Sequence, residues 1–300
     1  NIISFKYNIN NLSQDVNFLK FYDSKYGLYN YVDINELIFL IIESQNYDGL
    51  IYLIDNNNDL INIQDKHQNT ILNLICQNKK KPLPIIEYLV SKGVDVYCKN
   101  IFGFNCIFTL LNSIYCDFEI YKYLINIDKI DQSYNFNKER ISHQICKLNL
   151  DYKYLQVLSN RCINYNLVDT KNNTALNYAL MSHNLRNIEY FLKLDNIDLK
   201  IKNNIGFNAL DYFLKSDAFN SKYLIYFKSV TLKNIENYIT NKNFNVKIFA
   251  YLVYKLKKRF ESNYEGNNIL LMVSKTYFNN TKTKIKIYQI LKNLKFNFNK

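Results

Sequence analysis

Apolar and polar positions along this chain recur in blocks of about 35 residues, each with the same internal order. The clearest block runs from Asp169 to Asn203. Asp169 and the Asn172-Asn173 pair are turn formers. Thr174 follows, with a hydroxyl suited to capping a helix. Leu176 and Ala179, three apart, share one face of a short helix. After a polar break, Ile188, Phe191 and Leu192 form the apolar stripe of a second helix. Asp195 to Asn203 reads as an extended return. Two such short helices cannot bury their apolar faces alone, so the pattern demands neighbours of its own kind.

The neighbours are present. Positions matching Leu176 are Leu37, Leu72, Ile107, Ile141, Leu210 and Leu270, with steps of 35, 35, 34, 35, 34 and 60 residues along the series. The preceding turn repeats too. Asp65-x-x-Gln68-Asn69-Thr70 matches Asn100-x-x-Gly103-Phe104-Asn105, Asn203-x-x-Gly206-Phe207-Asn208 and Asn263-x-x-Gly266-Asn267-Asn268. The second-helix pair recurs as Leu50/Leu53, Ile86/Leu89, Tyr121/Leu124, Leu155/Leu158, Ile188/Phe191, Leu224/Phe227 and Ile287/Ile290.

On these residues the chain resembles the ankyrin-repeat family over roughly residues 33–300. It keeps Asp169, Thr174, Leu176 and Ala179 of the family pattern, and elsewhere Thr70, Leu89, Gly93 and Asp95. It departs in lacking the helix-start proline, whose place is taken by Glu36, Ile71, Cys106, Ala175 and Ala209. Asn73, Asn177 or Asp211 stands where the family has histidine. The resemblance implies an all-α solenoid of about seven helix-turn-helix repeats, one of them irregular. It also implies partner binding through turn tips and the first-helix face.

The expected organisation follows the pattern. Residues 1–32 break the repeat and form an N-terminal cap or partial repeat; 33–229 hold six ankyrin repeats; 230–260 form an irregular helical pair; 261–300 form a final basic repeat. The array counts as one elongated domain. Repeat four is the weakest, since its turn from Asn135 to Arg140 has no glycine. The insertion Lys79-Lys80-Lys81-Pro82-Leu83-Pro84 reads as a solvated loop. No run of eighteen apolar residues occurs, so no membrane span is expected.

Composition adds a source-like signal. The chain has 27 Tyr, 20 Phe, 2 Pro, 6 Gly and no Trp, with abundant Asn, Ile and Lys, as codon bias in an AT-rich genome produces. With proline-poor repeats, it resembles ankyrin proteins of large AT-rich DNA viruses, poxviruses above all. That resemblance implies an intracellular, cytoplasmic protein that binds a host protein, with the nucleus as a further location. Charge is uneven as well. Residues 1–240 hold 25 Lys+Arg against 24 Asp+Glu, while 241–300 hold 13 against 2, giving +1 and +11 of the total +12. The densest parts are Lys255, Lys257, Lys258, Arg259 and Lys282, Lys284, Lys286. This basic end has two readings, a solvated terminus or a surface for an acidic protein, nucleic acid or membrane.

Chemistry is scarce. Cys76, Cys98, Cys106, Cys116, Cys146 and Cys162 show no Cys-x-x-Cys spacing and read as reduced thiols. His67, His143 and His183 lie in no nucleophile or metal motif, and there is no glycine-rich phosphate loop. No enzyme, cofactor or metal is expected. The candidate partner-binding positions are therefore Lys66, His67, Ile101, Phe102, Lys171, Asn204 and Ile205 at turn tips, and Met181 after a first helix. Ile101, Phe102 and Ile205 stand out, because turn tips normally point polar groups into water.

Overall fold

Short helices dominate the computed structural model, and most of those in the repeats are started by a capping side chain. The structure describes residues 11–28, 32–80, 82–127, 134–161, 163–215, 221–227, 230–239, 244–259 and 281–293. They fall into two compact units, Asn1–Ile163 and Asn164–Lys300.

The first unit contains α1 (Val16–Tyr26), α2 (Ile34–Glu43), α3 (Tyr47–Asn56), a 3-10 turn (Asn58–Asn62), α4 (Ile71–Gln77), α5 (Leu83–Ser91), α6 (Cys106–Asn112), α7 (Phe118–Ile125), α8 (Ile141–Lys147) and α9 (Lys153–Ser159). The second contains α10 (Ala175–Met181), α11 (Leu185–Leu192), α12 (Ala209–Lys215), a 3-10 segment (Ser221–Tyr226), α13 (Leu232–Ile239), α14 (Val246–Arg259) and α15 (Thr281–Asn293). Among the described residues there is no strand, only isolated bridges at two turns, Gln64 with Thr70 and Tyr134 with Arg140.

Capping explains the starts. Thr70 accepts the Asn73 N–H, Asn105 that of Phe108, Thr174 that of Asn177 and Asn208 that of Asp211. Repeat four has Arg140 at this position, whose side chain supplies no cap acceptor. There the His143 Nδ1 accepts the Arg140 N–H at 3.1 Å instead, so this buried histidine holds a helix start. Second helices start on Asn46, Asp117 and Asn184 in the same way. At α5 the insertion supplies Pro82 as cap and Pro84 in the first turn, where a missing N–H costs nothing.

Packing follows the period. First helices stack on first helices, α2 on α4, α4 on α6 and α6 on α8 in the first unit, and α10 on α12 in the second. Second helices stack likewise, α5 on α7 and α7 on α9. The apolar pairs expected between them are fully buried, among them Leu50, Ile86, Leu89, Tyr121, Leu155, Ile188 and Phe191. Each such side chain contributes about 1.5–3 kcal/mol by leaving water.

Two features differ from the sequence reading. In repeat four the cap is Arg140, so Ile141 is the first helical residue, one place before the position held by Leu72, Ile107, Leu176 and Leu210; Ser142 stands there. An apolar residue at either place is buried, so periodicity alone shifted the register by one. In repeat six the second helix is the 3-10 segment Ser221–Tyr226, although Leu224 and Phe227 are buried as expected. The irregular stretch after it consists of two helices, α13 packed on α12, and α14 packed on α13 and α15. Residues 1–32 include α1, whose Asp23 accepts the Tyr52 hydroxyl of α3. Leu270 and most of the final repeat expected at 261–300 lie outside the described residues.

A candidate partner-binding rim

Each turn tip is built on one carboxylate or amide. Asp65, Asn100, Asn135, Asp169 and Asn203 direct Oδ1 back onto the loop and accept the N–H groups two and four residues ahead. The N–H three residues ahead donates to the backbone carbonyl of the same residue, at 2.8–3.0 Å in all five tips. That geometry puts the fourth loop residue in the left-handed region, at Gln68, Gly103, Lys138, Asn172 and Gly206. Repeat four therefore makes the same turn without glycine, with Lys138 at φ 58°.

Neighbouring tips are tied together within each unit. In the first, Asn100 Nδ2 donates to Asn69 Oδ1 at 2.8 Å, and the Ile101 N–H to the His67 carbonyl at 3.1 Å. In the second, Asn203 Nδ2 donates to Asn173 Oδ1 at 2.9 Å, and the Asn204 N–H to the Lys171 carbonyl at 3.0 Å. In each tip the N–H groups two, three and four residues past the Asp or Asn are thus held within the loop itself.

The side chains they carry differ between the units. In the first unit, Ile101 is 44% and Phe102 62% exposed, next to exposed Lys66 and His67. Phe136, on the following tip, is 64% exposed and lies against Gly103. Inward from Phe102, ring contacts run through Phe104 to buried Phe108, with centroids 6.5 and 6.0 Å apart. Beside them Tyr134 is flanked by Lys99 Nζ at 4.2 Å and the Arg140 guanidinium at 4.8 Å from its ring centre. In the second unit, Ile205 is 68% exposed, but its neighbours Lys171, Asn172 and Asn204 are polar. Asn172 and Asn204 bond to each other at 2.7 Å, and Lys215 covers the Phe207 ring at 3.9 Å.

The candidates named from sequence thus form two sets. Lys66, His67, Ile101 and Phe102 lie together in the first unit; Lys171, Asn204 and Ile205 lie together in the second. Met181 is exposed but ends α10, one helix length from the tip that starts it. Phe136 was not among the candidates. It follows Asn135 as Ile101 follows Asn100, so the loop register carried the signal. Of the basic residues, Lys286 is exposed and Lys255 Nζ lies 5.4 Å from the Tyr251 ring centre. The side chains of Lys257, Lys258, Arg259, Lys282 and Lys284 lie outside the described residues.

The thiols have a packing role. Cys76, Cys106 and Cys146 are buried and Cys98 and Cys116 partly so, and no disulfide joins these five; Cys162 lies outside the described residues. Burial, reinforced by the neighbouring Cys76, pushes the Cys106 thiol well above its ordinary range, so it stays protonated and a poor nucleophile. Among the described residues, no cluster of His, Cys, Asp and Glu could hold a metal ion. No described helix is long and apolar enough to cross a membrane.

No protein-family model matches the sequence, and no curated protein does. A solved structure does share its fold. The ankyrin repeat domain of Bcl-3, described as a unique member of the IkappaB protein family, superposes with a TM-score of 0.54 at 15% identity, over 64% of this chain and 82% of that one. The Bd0816 predatory endopeptidase from Bdellovibrio bacteriovorus in complex with immunity protein Bd3460 matches at a TM-score of 0.48 and 21% identity, over 58% of this chain and 89% of that one. The fold is all-α and of the ankyrin-repeat type.

Proposed function

We propose that this chain is a non-enzymatic protein-binding module that takes its partner on the turn tips. The observation that carries the reading is the exposure of Ile101, Phe102 and Phe136 on adjacent tips whose turns are held by Asn100 and Asn135. Two tips whose turns are held by polar side chains, yet which expose three apolar groups between them, have side chains available to a partner. Aromatic anchors on a rigid base lose little entropy when bound and dominate interface energies. The Bcl-3 likeness agrees in fold and adds nothing about partners. A viral product that binds a host protein in the cytoplasm is the finer form of this reading, and it rests on the sequence resemblance and composition alone.

The test is a Phe102→Asp/Ile205→Asp double variant, one change in each unit. The helical circular-dichroism signal and melting temperature should stay at wild-type values, because both side chains are exposed. Affinity capture from cells with mass spectrometry should lose the principal wild-type partner. Unchanged recovery by a folded variant would move the binding surface away from the tips, with the basic end at 241–300 as the next surface to test for an acidic protein or nucleic acid.

A further inference from the structure

The rim of the first unit has a charge character as well as an apolar one. Over residues 65–69, 99–104 and 134–140 the cations are Lys66, Lys99, Lys138 and Arg140, and the acids are Asp65 and Glu139. Neither acid is available to a ligand. Asp65 spends Oδ1 on the N–H groups of His67 and Asn69 and Oδ2 on the Asn69 amide. Glu139 is buried, accepting from Asn135 Nδ2 at 2.6 Å and from Lys147 Nζ at 2.7 Å. What faces water is Lys66, on the tip before Phe102, and Lys138, on the tip that carries Phe136, while half-buried Lys99 and Arg140 lie within 5 Å of the Tyr134 ring centre.

From this juxtaposition, which deepens the protein-binding reading above, we infer that the rim of the first unit binds an acidic peptide segment carrying an apolar or aromatic anchor. The anchor would rest on Phe102 and Phe136, and flanking carboxylates would meet Lys66 and Lys138. A like-charged segment would be repelled, which argues against occupation by this chain itself. Its last sixty residues carry 13 Lys+Arg against 2 Asp+Glu, and a second copy brings a net charge of +12. A protein segment fits better than a nucleic acid strand. The rim exposes isoleucine and phenylalanine at its centre, with two lysines beside them rather than a continuous basic track.

The experiment is selection of a random peptide display library on the full chain, then affinity measurement of the enriched peptides by fluorescence anisotropy. The enriched peptides should combine Asp and Glu with one large apolar residue. Lys66→Glu/Lys138→Glu changes only exposed side chains and should weaken binding about tenfold at low salt, with a smaller effect when salt is raised. Phe102→Ser should also weaken it, with an unchanged circular-dichroism spectrum. The inference is overturned if nothing is enriched, if the enriched peptides are neutral or basic, or if the charge-reversed chain binds them as well as wild type. It is also overturned if a single-stranded oligonucleotide displaces them from the rim as effectively as an acidic peptide of equal charge. Loss of the cellular partner in Phe102→Asp/Ile205→Asp together with neutral selected peptides would leave tip binding standing and remove only the acidic specificity.

Discussion

Gly103 and Gly206 hold the same place in two equivalent turns, at φ 78° and 81°, and replacing each by alanine separates backbone strain from packing. The left-handed conformation costs an L residue about 1–2 kcal/mol. Reduced freedom of the unfolded chain offsets about 0.4–1 kcal/mol of that. Strain alone therefore destabilises by about 1 kcal/mol at either site. At Gly206 no described atom beyond the glycine's chain neighbours lies within 4 Å of the new Cβ, so strain is the effect expected there. At Gly103 the Cβ would sit 2.6 Å from Phe136 Cγ and 2.7 Å from the Phe136 backbone nitrogen. The ring can swing aside; the backbone nitrogen belongs to a tip pinned by Asn135, and forcing it away adds an overpacking cost of about 1–3 kcal/mol. Gly103→Ala should lose about 2–4 kcal/mol in total and Gly206→Ala about 1 kcal/mol. Urea unfolding followed by circular dichroism measures both, and hydrogen exchange at residues 100–104 and 203–207 assigns each loss to its turn. Equal losses in the two variants would refute the claim that the tips of the first unit are packed against each other.

Other outcomes follow from the same structure. Leu176→Ala empties a buried site between α10 and its neighbours and should cost about 2–5 kcal/mol; a wild-type melting temperature would show the repeat register to be wrong. Asn100→Ala leaves the Phe102 and Phe104 N–H groups and Asn69 Oδ1 without their partner, a loss of about 1–3 kcal/mol, with faster amide exchange at 102 and 104 as the local readout. Burial pushes the Tyr238 phenol from 10.0 up to about 12, against a smaller opposing effect of the Asn245 hydrogen bond. The fold favours the protonated phenol, so this contribution is intact below pH 10 and is lost as pH rises toward 12. Alkaline unfolding should accordingly be less steep in Tyr238→Phe than in wild type, and an unchanged pH dependence would refute the assignment.

The helical repeat was legible in the chain because its causes are local. Caps such as Thr70 and Thr174, turn formers such as Asp169, and apolar pairs such as Ile188/Phe191 act within one repeat, and a fixed period multiplies the signal. The exposed Ile101, Phe102 and Ile205 could be named for the same reason, since a tip position is set by its own loop. Tertiary contacts decided the rest. Repeat four keeps its turn without glycine because Asn135 pins the loop while Lys138 accepts the left-handed conformation, a cost that sequence alone reads as a weak repeat. The second helix of repeat six shortens to a 3-10 segment although Leu224 and Phe227 have helical spacing, since burial of an apolar pair does not specify the backbone hydrogen bonds beneath it. Phe136 reaches the Gly103 turn only where one tip packs on the next, some 33 residues apart in the chain, and the engagement of Asp65 with its own loop and of Glu139 with Asn135 and Lys147 depends on hydrogen bonds no linear pattern encodes. Local order was written in the spacing; which side chains meet, and which charges stay open to a partner, was settled by the stacking of one repeat on another.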